Sequence, residues 1–300
     1  MHPMIMPPPL QPGDRVALVA PCSPLDPEQL APAADFIRKL GYTPEIYPSC
    51  RCRRQYLAGD DLTRAADLNR AFADPWVKAV IAVRGGYGSA RLISYLDAAA
   101  ISSHPKLFCG YSDVTVLHGF LNQRCHLITF HTPMPGIAEM REDSRSREAF
   151  AAILRGDYPH TLRGWDEPLR GLCPGRAGGI LTGGNLTVLA STVGTPYQRD
   201  TDGCILFLED VNEKPYAIDR VLLQLRDGGL LGRCAGILLG TWRNCGSSDE
   251  MDKLFREWFA PLGIPVVSGI PCGHSVPSMS LPLGGKVILD ADSVTVRLIG

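Results

Sequence analysis

Short apolar runs that end at glycine or proline alternate with segments of helical composition through the first half of the chain. Runs of this length between turn residues are typical of buried strands, so the pattern predicts a repeating strand–helix order. The predicted strands are residues 14–20, 43–47, 77–83 and 106–109, and the predicted helices are 26–40, 63–73, 89–99, 114–122 and 144–154. Buried strands that alternate with helices favour a parallel sheet covered on both faces.

The second half is patterned differently, with short elements separated by glycine pairs and prolines. Its predicted strands are residues 204–208, 236–239, 266–267, 286–289 and 295–298, and its predicted helices are 217–226 and 250–259. Between the halves, residues 156–175 are rich in turns and weakly periodic. The sequence therefore predicts an α/β domain over residues 1–155, a linker over 156–175 and a mixed, more β-rich domain over 176–300.

Composition narrows the class of partner. Lys and Arg number 30 and Asp and Glu number 31, so the net charge is −1. Without a net field to attract phosphate backbones or anionic lipids, neither nucleic acid nor a membrane is an expected partner. Glycine and proline number 31 and 25 in 300 residues, well above their usual combined share of about 12%. This excess indicates many sharp turns and a site built from loops on a packed scaffold.

The cysteines and the start of the chain point to a reducing compartment. Ten cysteines are scattered without a C-x-x-C pair, and only Cys50 and Cys52 are close together. Neither a disulfide framework nor a zinc site is expected from such spacing. The first residues lack the charged and apolar regions of a signal peptide, and no apolar run reaches the ~20 residues of a membrane span. We therefore expect a cytoplasmic protein with free thiols.

Glycines follow the predicted strand 77–83 and precede the next predicted helix, in Arg84-Gly85-Gly86-Tyr87-Gly88-Ser89. Backbone N–H groups at a strand-to-helix turn can hold an anion or an oxyanion. The segment matches neither a Walker A loop nor a complete G-x-G-x-x-G fingerprint. Taken alone, it fits a purely structural turn equally well.

A serine lies at the next strand-to-helix turn, in Cys109-Gly110-Tyr111-Ser112-Asp113. Hydrolases expose a nucleophilic hydroxyl on such a turn, but Val114 stands where G-x-S-x-G has its second glycine. Ser112 or Asp113 could instead cap the helix that follows. Spacing alone favours the capping interpretation.

A histidine and an acid also follow predicted strands. His274 lies in a loop rich in glycine and proline, whereas His104, His118, His126 and His131 lie in or beside predicted elements and are interpreted as structural. Glu209 directly follows strand 204–208, although its neighbour Asp210 is equally eligible as the acid that orients a histidine base. Ser112, Glu209 and His274 thus occur in the order serine, acid, histidine.

Together these segments resemble the LD-carboxypeptidase family of serine peptidases, which includes microcin C immunity peptidases. The matching stretches extend over nearly the whole chain and are Pro12-Gly13-Asp14, Val19-Ala20-Pro21, Ala82-Val83-Arg84-Gly85-Gly86-Tyr87-Gly88, Gly110-Tyr111-Ser112-Asp113, Gly183-Gly184-Asn185-Leu186, Leu208-Glu209-Asp210, Pro215-Tyr216-Ala217-Ile218-Asp219-Arg220 and Gly273-His274. The resemblance reverses the capping interpretation of Ser112.

The resemblance implies a Rossmann-like amino-terminal domain and a β-rich, barrel-like carboxyl-terminal domain, with the site in the cleft between them. It implies Ser112 as nucleophile, His274 as general base and Glu209 as the acid that orients the histidine. Because the nucleophile and the other two residues lie in different halves of the chain, domain packing would have to assemble the triad. Many family members look like homodimers, so a homodimer is expected here.

The chemistry of acyl transfer then calls for donors to an oxyanion. The backbone N–H of Asp113 is one expected donor, and Gly86 in the adjoining Gly85-Gly86 turn is the expected second. Arg84 or the amides of its loop are expected to bind the carboxylate of the substrate. No metal or organic cofactor enters this scheme.

By resemblance, the substrate is a murein-derived tetrapeptide, cut between a diamino acid and the terminal D-alanine. One alternative is a microcin C-type immunity peptidase that cleaves an aminoacyl-nucleotide amide, for which Trp242 could supply base stacking while Trp258 is interpreted as packing. A second alternative is a non-catalytic module that binds a sugar or a nucleotide, with residues 84–88 holding phosphate and Ser112 only capping a helix.

Overall fold

The computed structural model describes residues 3–299. Within that range the chain forms fourteen strands: β1 (Arg15–Val19), β2 (Thr43–Ile46), β3 (Val77–Ala82), β4 (Leu107–Gly110), β5 (Thr129–His131), β6 (Thr161–Leu162), β7 (Arg170–Cys173), β8 (Arg176–Asn185), β9 (Ile205–Val211), β10 (Gly236–Arg243), β11 (Val266–Ser268), β12 (Leu281–Leu283), β13 (Lys286–Asp290) and β14 (Thr295–Ile299).

The same residues include nine α-helices: α1 (Pro27–Lys39), α2 (Asp61–Ala73), α3 (Ala98–Ser103), α4 (Thr115–Cys125), α5 (Ala138–Glu142), α6 (Ser144–Arg155), α7 (Leu186–Ala190), α8 (Pro215–Asp227) and α9 (Ser248–Phe259). Short 3₁₀ helices lie at Pro48–Arg51, Ser89–Tyr95, Ser112–Val114 and Ala260–Leu262. Within residues 3–299, none of the helices combines the length and the apolar character needed to span a bilayer.

The chain divides into two compact units. The first extends to Tyr158 and also contains Val276–Pro282, and the second contains Pro159–Ser275 and the chain from Leu283 onward. The first unit is therefore discontinuous, because a segment near the end of the chain returns to it. The turn-rich residues 156–175 contain strands β6 and β7, which lie at the two edges of the sheet of the second unit.

A six-stranded sheet in the order β12-β5-β4-β3-β1-β2 forms the centre of the first unit. Strands β1 to β5 run parallel, as the alternation of apolar runs and helices predicts. Val16, Leu18 and Ile81 are fully buried in its core. Burying an aliphatic side chain of this size contributes about 1.5–3 kcal/mol, so the apolar runs hold the strands in the interior.

The second unit contains an eight-stranded mixed sheet in the order β6-β14-β13-β8-β9-β10-β11-β7. Its central strands β8 to β11 are parallel, whereas β7, β13, β14 and β6 pair antiparallel. Helices α7, α8 and α9 pack against it around buried Leu206, Leu222 and Phe255. The predicted fold class, a parallel α/β domain followed by a β-rich mixed domain, is confirmed.

One predicted helix is wrong. The single helix expected over 89–99 is a 3₁₀ helix, Ser89–Tyr95, followed by the separate helix α3. The Asn69 side chain separates them, because its amide donates to the Tyr95 carbonyl oxygen and its Oδ1 accepts from the Asp97 N–H. Asp97 then caps α3 through a hydrogen bond from Ala100 N–H to its side chain.

Several strands lie outside the expected ones. The longest, β8, carries Gly178, Gly179, Gly183 and Gly184 and so lacks an apolar alternation. A Cβ on Gly183 would lie 2.0 Å from the Phe207 carbonyl oxygen, so close backbone packing against β9 explains the glycine there. Strands β5, β7 and β12 have only three or four residues, too few for a pattern to show.

Candidate active site

The chain turns sharply at Ser112 between β4 and α4. Ser112 has φ +66°, and the 3₁₀ turn Ser112–Val114 leads directly into the helix. A left-handed backbone at a residue with a Cβ costs on the order of 1–3 kcal/mol, so the surrounding contacts must impose it. The turn places Ser112 at the carboxyl end of a parallel strand, where open α/β sheets bind their ligands.

A buried histidine supports this turn. The His118 ring bridges the Gly110 carbonyl oxygen, 2.9 Å from Nε2, and the Thr129 hydroxyl, 2.8 Å from Nδ1. Because a carbonyl oxygen can only accept, Nε2 carries the hydrogen, and Nδ1 accepts from the threonine. The interpretation of His118 as a structural residue agrees with its burial and these contacts.

Gly85 lies directly against the Ser112 side chain. A Cβ on Gly85 would come within 2.8 Å of Ser112 Cβ and 3.1 Å of Ser112 Oγ. Only glycine lets the backbone approach the serine so closely. The close approach brings residues 84–88, called here the 84–88 turn, beside the hydroxyl.

Two amides in and beside this turn are already engaged within the protein. The Tyr87 N–H donates to Ser23 Oγ at 3.1 Å, and the Ser89 N–H donates to Asp113 Oδ2 at 2.8 Å. The Ser89 hydroxyl also donates to the Asp113 carbonyl oxygen at 2.5 Å. Burial raises the pKa of Asp113, and the bonds from Ser89 oppose that shift. The Tyr87 amide is therefore not available to a ligand, and Gly86, which is exposed, stays the expected oxyanion donor of the turn.

Arg84 begins the same turn and is half-buried. Its Nη1 donates to the Pro24 carbonyl oxygen at 2.7 Å, which fixes the guanidinium against the loop after β1. A guanidinium has five N–H donors, so this bond leaves the fork able to bind a carboxylate as well.

The second unit contains a buried carboxylate–imidazole pair. Glu209 in β9 is fully buried, and its Oε2 accepts a hydrogen bond from His274 Nδ1 at 2.7 Å. A carboxylate can only accept when ionised, so Nδ1 carries the hydrogen and Nε2 is the ring nitrogen that can take a proton. Burial lowers the pKa of His274, but the charge of Glu209 and its hydrogen bond outweigh burial, and the net shift is upward.

The structure distinguishes Glu209 from its neighbour Asp210. Asp210 Oδ2 accepts from the N–H and the hydroxyl of Thr187 at the start of α7, so it stabilises that helix. Asn185 links the two acids, because its Nδ2 donates to Asp210 Oδ1 at 2.9 Å and to Glu209 Oε1 at 3.3 Å. No catalytic pattern in the sequence includes Asn185, although its place after a glycine pair and before a helix marks it as an N-cap.

Gly273 packs against Glu209, which gives a direct test of the pair. A Cβ there would lie 2.6 Å from Glu209 Oε2 and 2.5 Å from Thr241 Oγ1, and the φ of Gly273 is +135°. We expect Gly273→Ala to displace the carboxylate from His274 and to lower kcat about 100-fold, the usual effect of a ~1 Å misplacement. Steady-state kinetics measure this.

Gly203→Ala is the matched control. Gly203 lies in the same unit and also has a positive φ, +64°, but nothing lies within 4 Å of an added Cβ. Gly203→Ala therefore introduces backbone strain without contacting Glu209 or His274, and the variant should retain near-normal kcat. Equal losses in the two variants would contradict the role given to the Gly273 contact.

Trp242, considered for base stacking, and Trp258, interpreted as packing, both have packing partners. The Trp242 ring lies 4.6 Å from that of Phe255 in α9. Trp258 Nε1 donates to Asp219 Oδ1 at 2.6 Å, and Arg226 lies over its ring. The packing interpretation of Trp258 agrees with these contacts, and Trp242 is partly buried against the same core.

Within each unit, the candidate residues cluster. In the first, Arg84, Gly85 and Gly86 form the turn beside Ser112 and Asp113; in the second, Glu209 and His274 are hydrogen-bonded. A serine on a strained strand-to-helix turn and a buried acid–imidazole pair define the elements of a serine-type hydrolase.

Comparison with known proteins agrees with that class. Residues 16–132 match the LD-carboxypeptidase N-terminal domain, and residues 178–289 match the LD-carboxypeptidase C-terminal domain. A probable murein peptide carboxypeptidase of Bacillus subtilis is 38% identical over 95% of this chain and 92% of its own. The crystal structure of muramoyltetrapeptide carboxypeptidase from Oxalobacter formigenes superposes with a TM-score of 0.81 at 31% identity, over 95% of this chain and 97% of its own.

A more distant relative is the microcin C7 self-immunity protein MccF of Escherichia coli, 28% identical over 81% of this chain and 80% of its own. The chain belongs to the LD-carboxypeptidase family. It is an enzyme, a carboxypeptidase of the serine type, and the hypothesis of a non-catalytic binding module is set aside.

Proposed function

We propose that this enzyme releases the terminal D-alanine from murein-derived tetrapeptides, by cutting the amide bond after the diamino acid. The observation that carries the proposal is the 2.7 Å hydrogen bond between His274 Nδ1 and buried Glu209, because it fixes the imidazole as an oriented base. The murein peptide and muramoyltetrapeptide carboxypeptidases to which the chain is similar support this substrate class.

In the first step, the Ser112 hydroxyl attacks the carbonyl carbon of the scissile amide, and His274 Nε2 takes its proton. Glu209 stabilises the imidazolium that forms. The carbonyl oxygen becomes an oxyanion, which the N–H groups of Asp113 and Gly86 stabilise. The position of Gly85 against Ser112 supports this role for the turn.

In the second step, the amide C–N bond breaks and the leaving nitrogen takes the proton from His274. D-Alanine departs, and the rest of the peptide remains as an ester on Ser112. A water then attacks the ester while His274 removes its proton, and the serine is released with the proton that His274 returns to it. Apart from the water and the substrate, the steps use only side chains and amides of this chain, so the scheme calls for no cofactor.

The carboxylate of the departing D-alanine requires a positively charged partner, and we assign it to Arg84. Arg84→Ala is expected to raise KM for tetrapeptide by about 10–100-fold, the range for a charged hydrogen bond of ~1.5–3 kcal/mol, while kcat changes little. Arg84→Lys keeps the charge, so its KM should lie between those of the unaltered enzyme and Arg84→Ala. An unchanged KM in Arg84→Ala would remove the side chain from substrate binding.

Direct assay tests the substrate. Purified enzyme is incubated with a murein tetrapeptide ending in D-alanine, with the same peptide ending in L-alanine, and with an aminoacyl-nucleotide amide. We expect D-alanine release from the first only. Cleavage of the nucleotide amide without D-alanine release would favour the microcin-type activity, which the relation to MccF supports and the packing of Trp242 against Phe255 does not.

The proposal also includes a cytoplasmic, homodimeric enzyme without nucleic-acid or membrane partners. All ten cysteines lie within the described residues and are free thiols, eight of them buried. Free thiols in this number are typical of a reducing compartment. Cys109, three residues before Ser112, is fully buried, and burial raises its pKa to about 12, so it packs as a small apolar residue.

A further inference from the structure

A fully buried arginine in α2 has no part in the mechanism above. The guanidinium of Arg64 is completely shielded from solvent. Its Nη1 donates to the carbonyl oxygens of Pro21, at 2.5 Å, and Gly88, at 3.0 Å. Its Nη2 donates to Asp61 Oδ1 at 2.5 Å. A buried charge is costly even when paired, so its presence calls for an explanation.

One of the two carbonyls belongs to the 84–88 turn and the other to the loop after β1. Gly88 is the last residue of the 84–88 turn, and Pro21 lies near the start of the loop after β1. That loop also holds the turn through Ser23, whose N–H donates to the Gly85 carbonyl oxygen at 3.1 Å and whose Oγ accepts from Tyr87 N–H. Arg64 therefore connects the turn to the loop that supports it.

The far side of the turn is tied to the nucleophile. Ser89, directly after Gly88, is fully buried and bonds twice to Asp113, the residue after Ser112. The turn is thus held at Gly85, Tyr87, Gly88 and Ser89, while Gly86 between them is exposed. The Gly88 carbonyl oxygen also accepts from the Arg91 N–H at 3.3 Å, and Arg64 is the side chain that joins this carbonyl to that of Pro21.

We propose that Arg64 is a positioning residue for the oxyanion hole, which holds the 84–88 turn so that the Gly86 N–H meets the developing oxyanion. This inference rests on the proposed function, since it assumes acyl transfer at Ser112. An apolar side chain would fill the same space but would leave the carbonyls of Pro21 and Gly88 without this donor. Within residues 3–299, Arg64 Nε has no acceptor, which lowers stability and fits a residue retained for geometry.

Labelling of Ser112 by a fluorophosphonate tests the inference without requiring the peptide substrate. The phosphonyl oxygen of the adduct occupies the oxyanion hole, so the labelling rate reports its geometry. We expect Arg64→Gln to slow labelling 10–100-fold and to lower kcat for tetrapeptide by the same factor, with KM changed less than threefold. Loss of one oxyanion donor costs about 10²–10³ in rate, so a displaced donor should cost less. Arg64→Lys should restore part of the rate.

Two further variants separate positioning from folding. Asp61→Asn weakens the bond to Nη2 at a partly exposed residue and should slow labelling by a smaller factor. Arg70→Ala removes an exposed arginine of the same helix whose partners are Asp67 and the Tyr47 ring, and it should label within twofold of the unaltered enzyme. If Arg64→Gln does not fold, the labelling rate of Asp61→Asn compared with that of Arg70→Ala decides between the two explanations.

The outcomes are distinct. Variants that melt at lower temperature but label Ser112 at the normal rate would overturn the inference and leave the proposed function standing. Slow labelling of the Arg64 variants in an enzyme that releases no D-alanine would support the inference and reject the substrate. No labelling of Ser112 in the unaltered enzyme would overturn both.

Discussion

Ser112→Ala is expected to lower kcat for D-alanine release by about 10⁴–10⁶-fold, because no other group in the proposed scheme can form the acyl-enzyme. The substitution removes only the hydroxyl oxygen and keeps the Cβ that packs against Gly85. Substrate binding should therefore persist, with KM changed much less than kcat. Steady-state assays and intact-mass spectrometry after phosphonate treatment measure the two effects.

Ser102→Ala is the matched control for this variant. Ser102 is also half-buried and lies in the same unit, but its hydroxyl donates to the Ala98 carbonyl oxygen within α3. It should keep both turnover and labelling. A phosphonate adduct on a residue other than Ser112, or retained turnover in Ser112→Ala, would contradict the assignment of the nucleophile.

Glu209→Gln is expected to lower kcat by about 10⁴-fold and to shift the acid limb of the pH profile. The charge and hydrogen bond of Glu209 raise the pKa of His274 against the effect of burial. The base works in its neutral form, so activity should rise as pH increases through a pKa above the ordinary value of about 6.5. Without the carboxylate, burial dominates, the pKa of His274 falls, and the acid limb moves to lower pH.

The neighbouring acid provides the comparison. Asp210 also raises the pKa of His274, but through charge alone and less than Glu209 does. Asp210→Asn should thus shift the acid limb in the same direction by a smaller amount and reduce stability through its contacts with Thr187. An acid limb that stays in place in Glu209→Gln would exclude Glu209 as the partner of the catalytic base.

The elements that sequence patterns predicted well are those defined by local chemistry. Apolar runs bounded by turn residues mark β1, β3 and β9 because burial on both faces of a sheet demands them. The pattern could not reveal β8, where close approach of the next strand requires glycine instead of an apolar residue. Nor could it reveal the interruption at Asp97, which depends on Asn69, far away in sequence.

The residues of the candidate site also fall into those that the sequence reveals and those that only the structure reveals. Ser112, Glu209 and His274 follow predicted strands, and ligand sites of α/β sheets lie at the carboxyl ends of strands, so the sequence points to them. The choice of Glu209 over Asp210 depends on which carboxylate is hydrogen-bonded to the imidazole, and only the structure shows that. The sequence does not reveal the roles of Arg64 and Asn185. A helix pattern does not show which groups a buried guanidinium binds, or which acids an N-cap side chain contacts in addition to its helix. Contacts between distant segments carry that information.

The return of Val276–Pro282 to the first unit bears on how the protein is made. Strand β12 pairs beside β5 at the edge of the first sheet, yet it is synthesised after almost all of the second unit. On the ribosome, β5 therefore remains an unpaired edge while the intervening chain emerges, and such edges readily pair with other chains. We therefore expect the nascent chain to be most exposed to such pairing between the synthesis of β5 and that of β12.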